Sequence, residues 1–273
     1  MKVMLAHNWS GEDVVGWWAS EKLDGMRAIW IPTTRGRMVK TISWADEDRI
    51  DLATGLWSRL GKVIMAPDEF LDKLPKDMCL DGELWTGRGE FQRLMTIVKR
   101  YVNLTTWRGV SYKIFDIIPP IMGQGFWPQD FKHSLEIMKD RLDHMMVEQV
   151  KIKDINHLHG IMDQVVSEGG EGLMLRHERS VWSPGRSKLL LKMKKLHDDE
   201  GEVIGYNAGE GRLTGMVGSL IVRTRGVVFN LSGLTDEQRV AGAIPIGTIV
   251  TYKYREYTLS GVPKEARFWR IKS

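Results

Sequence analysis

The feature that most constrains this 273-residue chain is a change of rhythm after Lys195. Ahead of it, short β-prone runs alternate with stretches of helical spacing; beyond it, strand-like runs follow one another. The polar segment His197-Asp198-Asp199-Glu200-Gly201 marks the change and reads as a hinge. Two modules are expected, a larger mixed one over 1–195 and a small all-β one over 196–273.

In the larger module, Ala28 to Thr33 is apolar and β-prone, Arg35-Gly36 reads as a turn, and Met38 to Ser43 resumes a strand. Leu80 to Trp85, Ser111 to Ile118 and Gly172 to Arg176 are further strands. Helical spacing occupies Phe91 to Arg100, Phe131 to Met146 and Ile155 to Glu168, the last closed by Gly169-Gly170. The smaller module reads as strands at Glu202 to Tyr206, Ser219 to Thr224, Val227 to Leu231 and Thr248 to Tyr254. A helical turn fits between Ser232 and Gly247. About 75 residues of this kind suit a partly open barrel such as the OB-fold. The class is α+β: antiparallel sheets with flanking helices, followed by a small barrel.

Composition narrows the functions. A hydrophobic share of 42% beside 27% charged residues supplies a core and argues against disorder. The single cysteine, Cys79, excludes an internal disulfide framework, and the histidines lack zinc-ligand spacing around it. Glu12 and Asp13 interrupt any apolar leader, and no run reaches the length of a membrane span. A cytoplasmic protein with no membrane partner is expected. A net charge of +4 permits nucleic-acid binding without requiring it.

The most informative segment is EKLDGMR, Glu21 to Arg27. A lysine, one spacer and Asp-Gly set an amine beside a tight turn. Alone this is weak, since on the order of one random chain in twenty of this length contains Lys-x-Asp-Gly. By itself it reads as a solvated surface lysine. Four other segments change the weighting. In Leu80-Asp81-Gly82-Glu83-Leu84-Trp85, Asp81 and Glu83 share one strand face. Tyr112 to Asp116 is a strand carrying aromatics and an acid. Glu171 stands at the mouth of an apolar strand after two glycines. In Leu189 to Lys195, Leu189, Leu191 and Met193 face one way and Leu190, Lys192 and Lys194 the other.

In order and spacing these segments resemble the motif set of the covalent nucleotidyltransferases, which comprise DNA ligases, RNA ligases and capping enzymes. EKLDG, Ser58-Arg59-Leu60-Gly61, DGELW, YKIFD, EGLMLR and LLLKMKK stand in the family's sequence. LDGELWTGRGEF, GGEGLMLR, Gly185-Arg186-Ser187 and TYKYREYTLSGVP extend the likeness over nearly the whole chain. It is closest to the small ATP-dependent DNA ligases of bacteria and some viruses.

The resemblance implies three steps: a lysine takes AMP from ATP, passes it to a DNA 5′-phosphate, and the 3′-hydroxyl displaces it. Lys22 is then the nucleophile. Free lysine has a pKa near 10.4, so only about one in a thousand is neutral near pH 7.4. Lys192, Lys194 and a bound divalent metal would lower that pKa and hold the phosphate. Glu83 and Glu171 offer hard oxygens suited to Mg²⁺ or Mn²⁺, and Glu83 also meets the ribose. Phe115 stacks on adenine, Arg59 binds ribose or phosphate, and Arg27 clamps phosphate. Ser20 and Glu21 read the adenine edge, Asp24 serves the later steps, and Arg186 meets DNA. ATP, nicked double-stranded DNA and a monomeric enzyme follow as expectations.

Two departures stand out. Thr33 to Thr54 looks like an insertion. Within it Thr33 to Ser43 reads as a hairpin tip with Arg35, Arg37 and Lys40, followed by an exposed acidic loop with Asp46, Glu47, Asp48 and Asp51. The basic tip either reaches DNA or is a tolerated excursion. Thr34-Arg35-Gly36 competes with Ser58-Arg59-Leu60-Gly61 as the second motif, and the latter matches better. Arg267-Phe268-Trp269-Arg270-Ile271-Lys272 resembles only the beginning of the family's last motif. An RNA ligase, a capping enzyme and a non-catalytic OB module are the rival readings. A NAD-dependent ligase would need an additional domain ahead of Lys22.

Overall fold

A computed structural model describes residues 2–99, 107–119, 127–128, 130–255, 257–258 and 260–272. Arg100, the expected end of one helix, and Glu256 and Leu259 of TYKYREYTLSGVP lie outside the described residues. The chain divides into two compact units, Met1–Met193 and Lys194–Ser273. Among the described residues no helix is long and apolar enough to cross a membrane.

In chain order the strands of the first part are β1 (Met4–Asn8), β2 (Trp18–Glu21), β3 (Met26–Trp30), β4 (Met38–Ile42), β5 (Asp48–Leu52), β6 (Leu56–Ser58), β7 (Cys79–Trp85), β8 (Ser111–Ile118), β9 (Val150–Lys151), β10 (Gly172–Arg176) and β11 (Gly185–Lys194). Among the described residues four helices accompany them: α1 (Asp68–Leu71), α2 (Phe91–Lys99), α3 (Phe131–Arg141) and α4 (Ile155–Ser167). One sheet has the order β1-β11-β10-β2-β9, a second β6-β3-β7-β8, and β4-β5 is a separate hairpin. β1 runs parallel to β11, whereas β2 pairs antiparallel with both β10 and β9.

Alternation explains both sheets. On β7, Leu80 and Leu84 are fully buried among Trp30, Ile114 and Leu135, which leaves Asp81 and Glu83 on the opposite face. Each leucine so buried contributes roughly 1.5–3 kcal/mol. On β10, Leu173 and Leu175 pack with Leu158 and Met162 of α4. α4 begins at Asp154, whose carboxylate accepts from His157 N–H at 2.8 Å. It ends in a Schellman turn: Gly169 N–H donates to Val166 O (3.0 Å) and Gly170 N–H to Val165 O (2.7 Å), with Gly169 at φ +87°.

Three expectations in this part need correction. α3 stops at Arg141 rather than Met146, because Leu142 leaves the helical region (φ −135°) and Asp143–Met145 forms a 3₁₀ turn. The hairpin tip lies at Ser43–Glu47, where Ser43 N–H meets Glu47 O at 2.8 Å, and not at Arg35-Gly36. The acidic stretch is no loop: Asp48 to Leu52 alternates and forms β5 against β4.

The second part holds β12 (His197–Ala208), β13 (Val217–Thr224), β14 (Val227–Leu231), β15 (Ile249–Tyr254) and β16 (Arg267–Ile271), in the order β14-β13-β12-β15-β16. Val203, Leu220, Val222, Leu231, Val250 and Tyr252 form its core. A parallel bridge joins Ser232, just past β14, to Arg267 of β16, as in a partly open OB-like barrel. Glu237–Arg239 supplies a 3₁₀ turn. The expected hinge is instead strand: His197 to Gly201 opens β12 and pairs with β15. Its acids are used, since Asp199 accepts from Tyr257 O–H at 2.5 Å and pairs with Arg225 at 2.9 Å. β16 escaped detection because Trp269 is a bulge: Phe268 faces Tyr252 while Arg270 faces Thr251, which breaks the alternation.

Candidate active site

β2 carries Ser20 and Glu21 and ends at Lys22, whose backbone N–H donates to Gly172 O at 2.8 Å. The turn after Lys22 lies directly on β7. A Cβ at Gly25 would stand 2.4 Å from Leu84 O and 2.7 Å from Glu83 Cγ, so glycine alone allows the approach. β3 then returns antiparallel along β7 and sets Arg27 opposite Glu83. Arg59 projects from a turn held by Ser58 N–H to Lys62 O (2.8 Å) and by Gly61 at φ +83°.

These segments enclose a cavity of about 320 Å³, within the span of small-molecule sites, roughly 300–1,000 Å³. Ser20, Glu21, Lys22, Arg27, Arg59, Glu83, Phe115, Arg186 and Lys192 all line it. So do Met174, Gln149 and Val147, which give an apolar and amide-bearing wall. Six of its side chains are cationic (Lys22, Arg27, Arg59, Arg176, Arg186 and Lys192) against two acidic residues, Glu21 and Glu83. The excess suits an anionic ligand.

Lys22, Arg27 and Arg176 are held in ion pairs. Lys22 Nζ contacts Glu171 Oε2. Arg27 grips buried Asp81 with Nε and Nη2, both at 2.5 Å, and lies 4.7 Å over the Phe115 ring. Trp182 Nε1–H donates to Asp81 at 2.8 Å. Arg176 pairs with Asp116 at 2.5 Å and lies 4.3 Å over Phe131. Burial pushes the Asp116 carboxyl up despite Arg176 and Ser134. Burial likewise pushes Glu83 up to about 8, outweighing the pull of Arg27 and Lys22. Arg186 Nη1–H donates to Ala6 O at 2.8 Å.

Other expected site residues stand elsewhere. Asp24 and Lys194 do not line the cavity, and Lys194 lies 3.9 Å from Glu265. Arg35 is committed to Asp68 (2.6 Å) and Asp72 (2.7 Å), Lys40 to Asp48 (3.7 Å), and Arg37 is exposed. Register sets Asp48 of β5 beside Ile42 and within reach of Lys40. Arg176, Asp81 and Trp182 were missed. Asp81 and Arg176 sit within quoted motifs, and a charged residue on a strand whose neighbours are all core was the available signal. Trp182 left no pattern.

A family model described as "ATP dependent DNA ligase domain" matches residues 7–194, and one described as "DNA ligase OB-like domain" matches 208–272. The chain is 29% identical over 276 residues to a DNA ligase of Haemophilus influenzae, covering 99% of this chain and 92% of that one. It is 31% identical over 178 residues to a DNA ligase of Methanothrix thermoacetophila, of which it spans about a third (32%). Among solved structures it resembles a Lig E DNA ligase, with TM-score 0.71, 32% identity and coverage of 100% and 99% of the two chains. A Chlorella virus DNA ligase-adenylate shares the fold at TM-score 0.52 and 23% identity, over 100% and 99% of the two chains.

Proposed function

The chain belongs to the ATP-dependent DNA ligases, and from that premise we propose that it seals 5′-phosphate/3′-hydroxyl nicks in duplex DNA through an AMP joined to Lys22. What supports the reading most is that Lys22 opens onto a predominantly cationic cavity within the small-ligand size range. Neutral Lys22 Nζ attacks the α-phosphorus of ATP; the N–P bond forms as the bond to the β-phosphate oxygen breaks, and pyrophosphate leaves. An oxygen of the DNA 5′-phosphate then attacks the same phosphorus and frees the lysine amine. Finally the 3′-hydroxyl attacks the activated DNA phosphorus, loses its proton and expels AMP.

Roles follow from chemistry. Phe115 offers its ring to adenine, and Ser20 and Glu21 lie along the purine's edge. Arg59 and Lys192 hold phosphate oxygens on which charge develops. Arg27 reaches phosphate with the part of its fork that Asp81 leaves free, and Asp24 acts at the nick. Before attack the Lys22 ammonium must lose a proton and leave Glu171.

Among the described residues no cluster of three or more His, Cys, Asp or Glu side chains forms a protein-only metal cage. Mg²⁺ does not need one, since one or two carboxylates plus phosphate oxygens and water complete its shell. The Glu171 charge acts on Glu83, and the two carboxyl groups supply the hard oxygens that such an ion takes. When bound, Mg²⁺ or Mn²⁺ would neutralise charge on the transferring phosphate. The enzyme is assigned to the cytoplasm, where ATP and DNA meet, and to a monomeric state. The test is a duplex carrying one nick: joining of a 5′-phosphorylated nick with ATP, and none of a 5′-hydroxyl nick, is expected. An adenylylated protein that never joins the nick would sink the proposal.

A further inference from the structure

Arg88 stands outside the cavity, yet its hydrogen bonds tie together the chain segments that carry the nucleophile and its carboxylate partner. Its Nε–H donates to Glu21 Oε1 at 2.8 Å and its Nη2–H to Glu21 Oε2 at 2.9 Å. Its Nη1–H donates to Glu168 Oε2 at 3.0 Å and to Glu168 O at 3.2 Å. Glu21 immediately precedes Lys22. Glu168 caps α4 three residues before Glu171, and its carbonyl is one of the acceptors a helix end leaves unpaired.

The surroundings are shaped for this grip. Gly87 (φ +126°) and Gly89 (φ +72°) flank Arg88 in backbone regions that favour glycine, and so turn the loop after β7 toward β2. At Gly170 a Cβ would meet Val165 Cγ1 at 2.4 Å and Glu21 Oε1 at 3.0 Å, so the Glu21 carboxylate is confined on that side as well. β2 and β10 register Glu21 against Leu173, and Lys22 N–H bonds Gly172 O. Holding Glu21 and Glu168 together therefore fixes where Lys22 Nζ and Glu171 meet.

We propose that Arg88 is a positioning residue for lysine adenylylation: it sets the Lys22–Glu171 geometry from behind, without touching ATP. The proposal rests on the reading of Lys22 as the AMP acceptor. The Arg88 fork is bidentate on Glu21 and contributes modestly to stability, whereas outer supports of a functional site, on the scale known around metal ligands, lower affinity or activity about 10–100-fold when removed. Lysine cannot replace it, having a point charge in place of a fork.

The experiment is single-turnover formation of the protein–AMP adduct with ATP and Mg²⁺, compared among wild type, Arg88→Ala and Arg88→Lys, with melting temperature recorded for each. Arg88→Ala should lower the maximal rate at least tenfold, with a smaller change in the half-saturating ATP concentration and a melting temperature close to wild type. A wild-type rate in Arg88→Ala overturns the proposal. If that variant unfolds, Arg88→Lys decides. A normal melting temperature with a slow rate supports positioning, and recovery of both together means that Arg88 acts on the fold alone. Absence of an adduct in wild type would instead count against the ligase chemistry assigned to Lys22.

Discussion

Lys22 Nζ and Glu171 Oε2 touch across 149 positions of chain, one at the end of β2 and the other at the mouth of β10. Strand pairing brings them together: Leu173 opposite Glu21 leaves no other place for the two flanking residues. Glu171→Ala should therefore abolish adduct formation while the melting temperature stays within a few degrees of wild type. The Lys22 side chain keeps about a quarter of its surface in solvent and rehydrates when its partner is removed, so the fold should draw little from the pair. A large fall in melting temperature would make Glu171 a structural residue.

Glu83 gives a pH prediction. Its folded pKa of about 8 stands above the ordinary 4.5, with burial as the main cause. Between those values the folded state keeps a proton that the unfolded state loses, so this group's contribution to stability falls as pH rises through the window and is lost above about 8. Relative to Glu83→Gln, the wild-type apoprotein should lose stability from pH 5 to 8.5. A difference between the two that is flat with pH contradicts the assignment.

Metal binding should reveal the same proton. If Glu83 ligates Mg²⁺ as a carboxylate, binding at pH 7 with ATP present must release close to one proton from it. Calorimetry in two buffers of different ionisation enthalpy reads this directly. The release should disappear in Glu83→Gln, and an unchanged release in that variant would place the metal elsewhere.

The placement of residues around the cavity was legible where it depends on alternation along a strand. Glu83 was placed on the face of β7 opposite Leu80 and Leu84 by simple alternation, and Lys192 opposite Leu191 and Met193 on β11 in the same way. What the sequence concealed depends on long-range pairing. Asp81 shares its strand face with Glu83, yet it is fully buried beneath Arg27 and Trp182, from a distant loop. The polar run at His197 looked like a hinge because its partners, Tyr257 and Arg225, lie far along the chain. Trp269 hid β16 because a bulge adds one residue to the period.

The three cations before and within β4 are not equally engaged. Arg35 is bound to Asp68 and Asp72, so Arg35→Ala should leave affinity for nicked DNA nearly unchanged. Arg37 is exposed and Lys40 only loosely paired with Asp48. If the hairpin meets DNA, changing those two to alanine should make the log K against log [salt] slope shallower by about one per lost phosphate contact. Equal slopes in wild type and the double variant would leave the hairpin as a surface excursion.

Gly25 should tolerate no side chain. Its alanine variant drives a Cβ into Leu84 O and Glu83 Cγ, and overpacking of this kind costs roughly 1–3 kcal/mol. The displaced turn carries Lys22 at its start and Asp24 within it, so adduct formation should slow as well. Denaturant unfolding with an unchanged midpoint would show that the turn gives way freely.

The central claim is that Lys22 takes AMP from ATP, and one measurement addresses it without DNA. The protein is incubated with ATP labelled at the α-phosphate and a divalent metal, denatured, and resolved by electrophoresis. Wild type should retain label as a covalent adduct that pyrophosphate discharges, and Lys22→Ala should retain none while still binding nicked DNA. Label persisting on the Lys22→Ala protein would contradict the account.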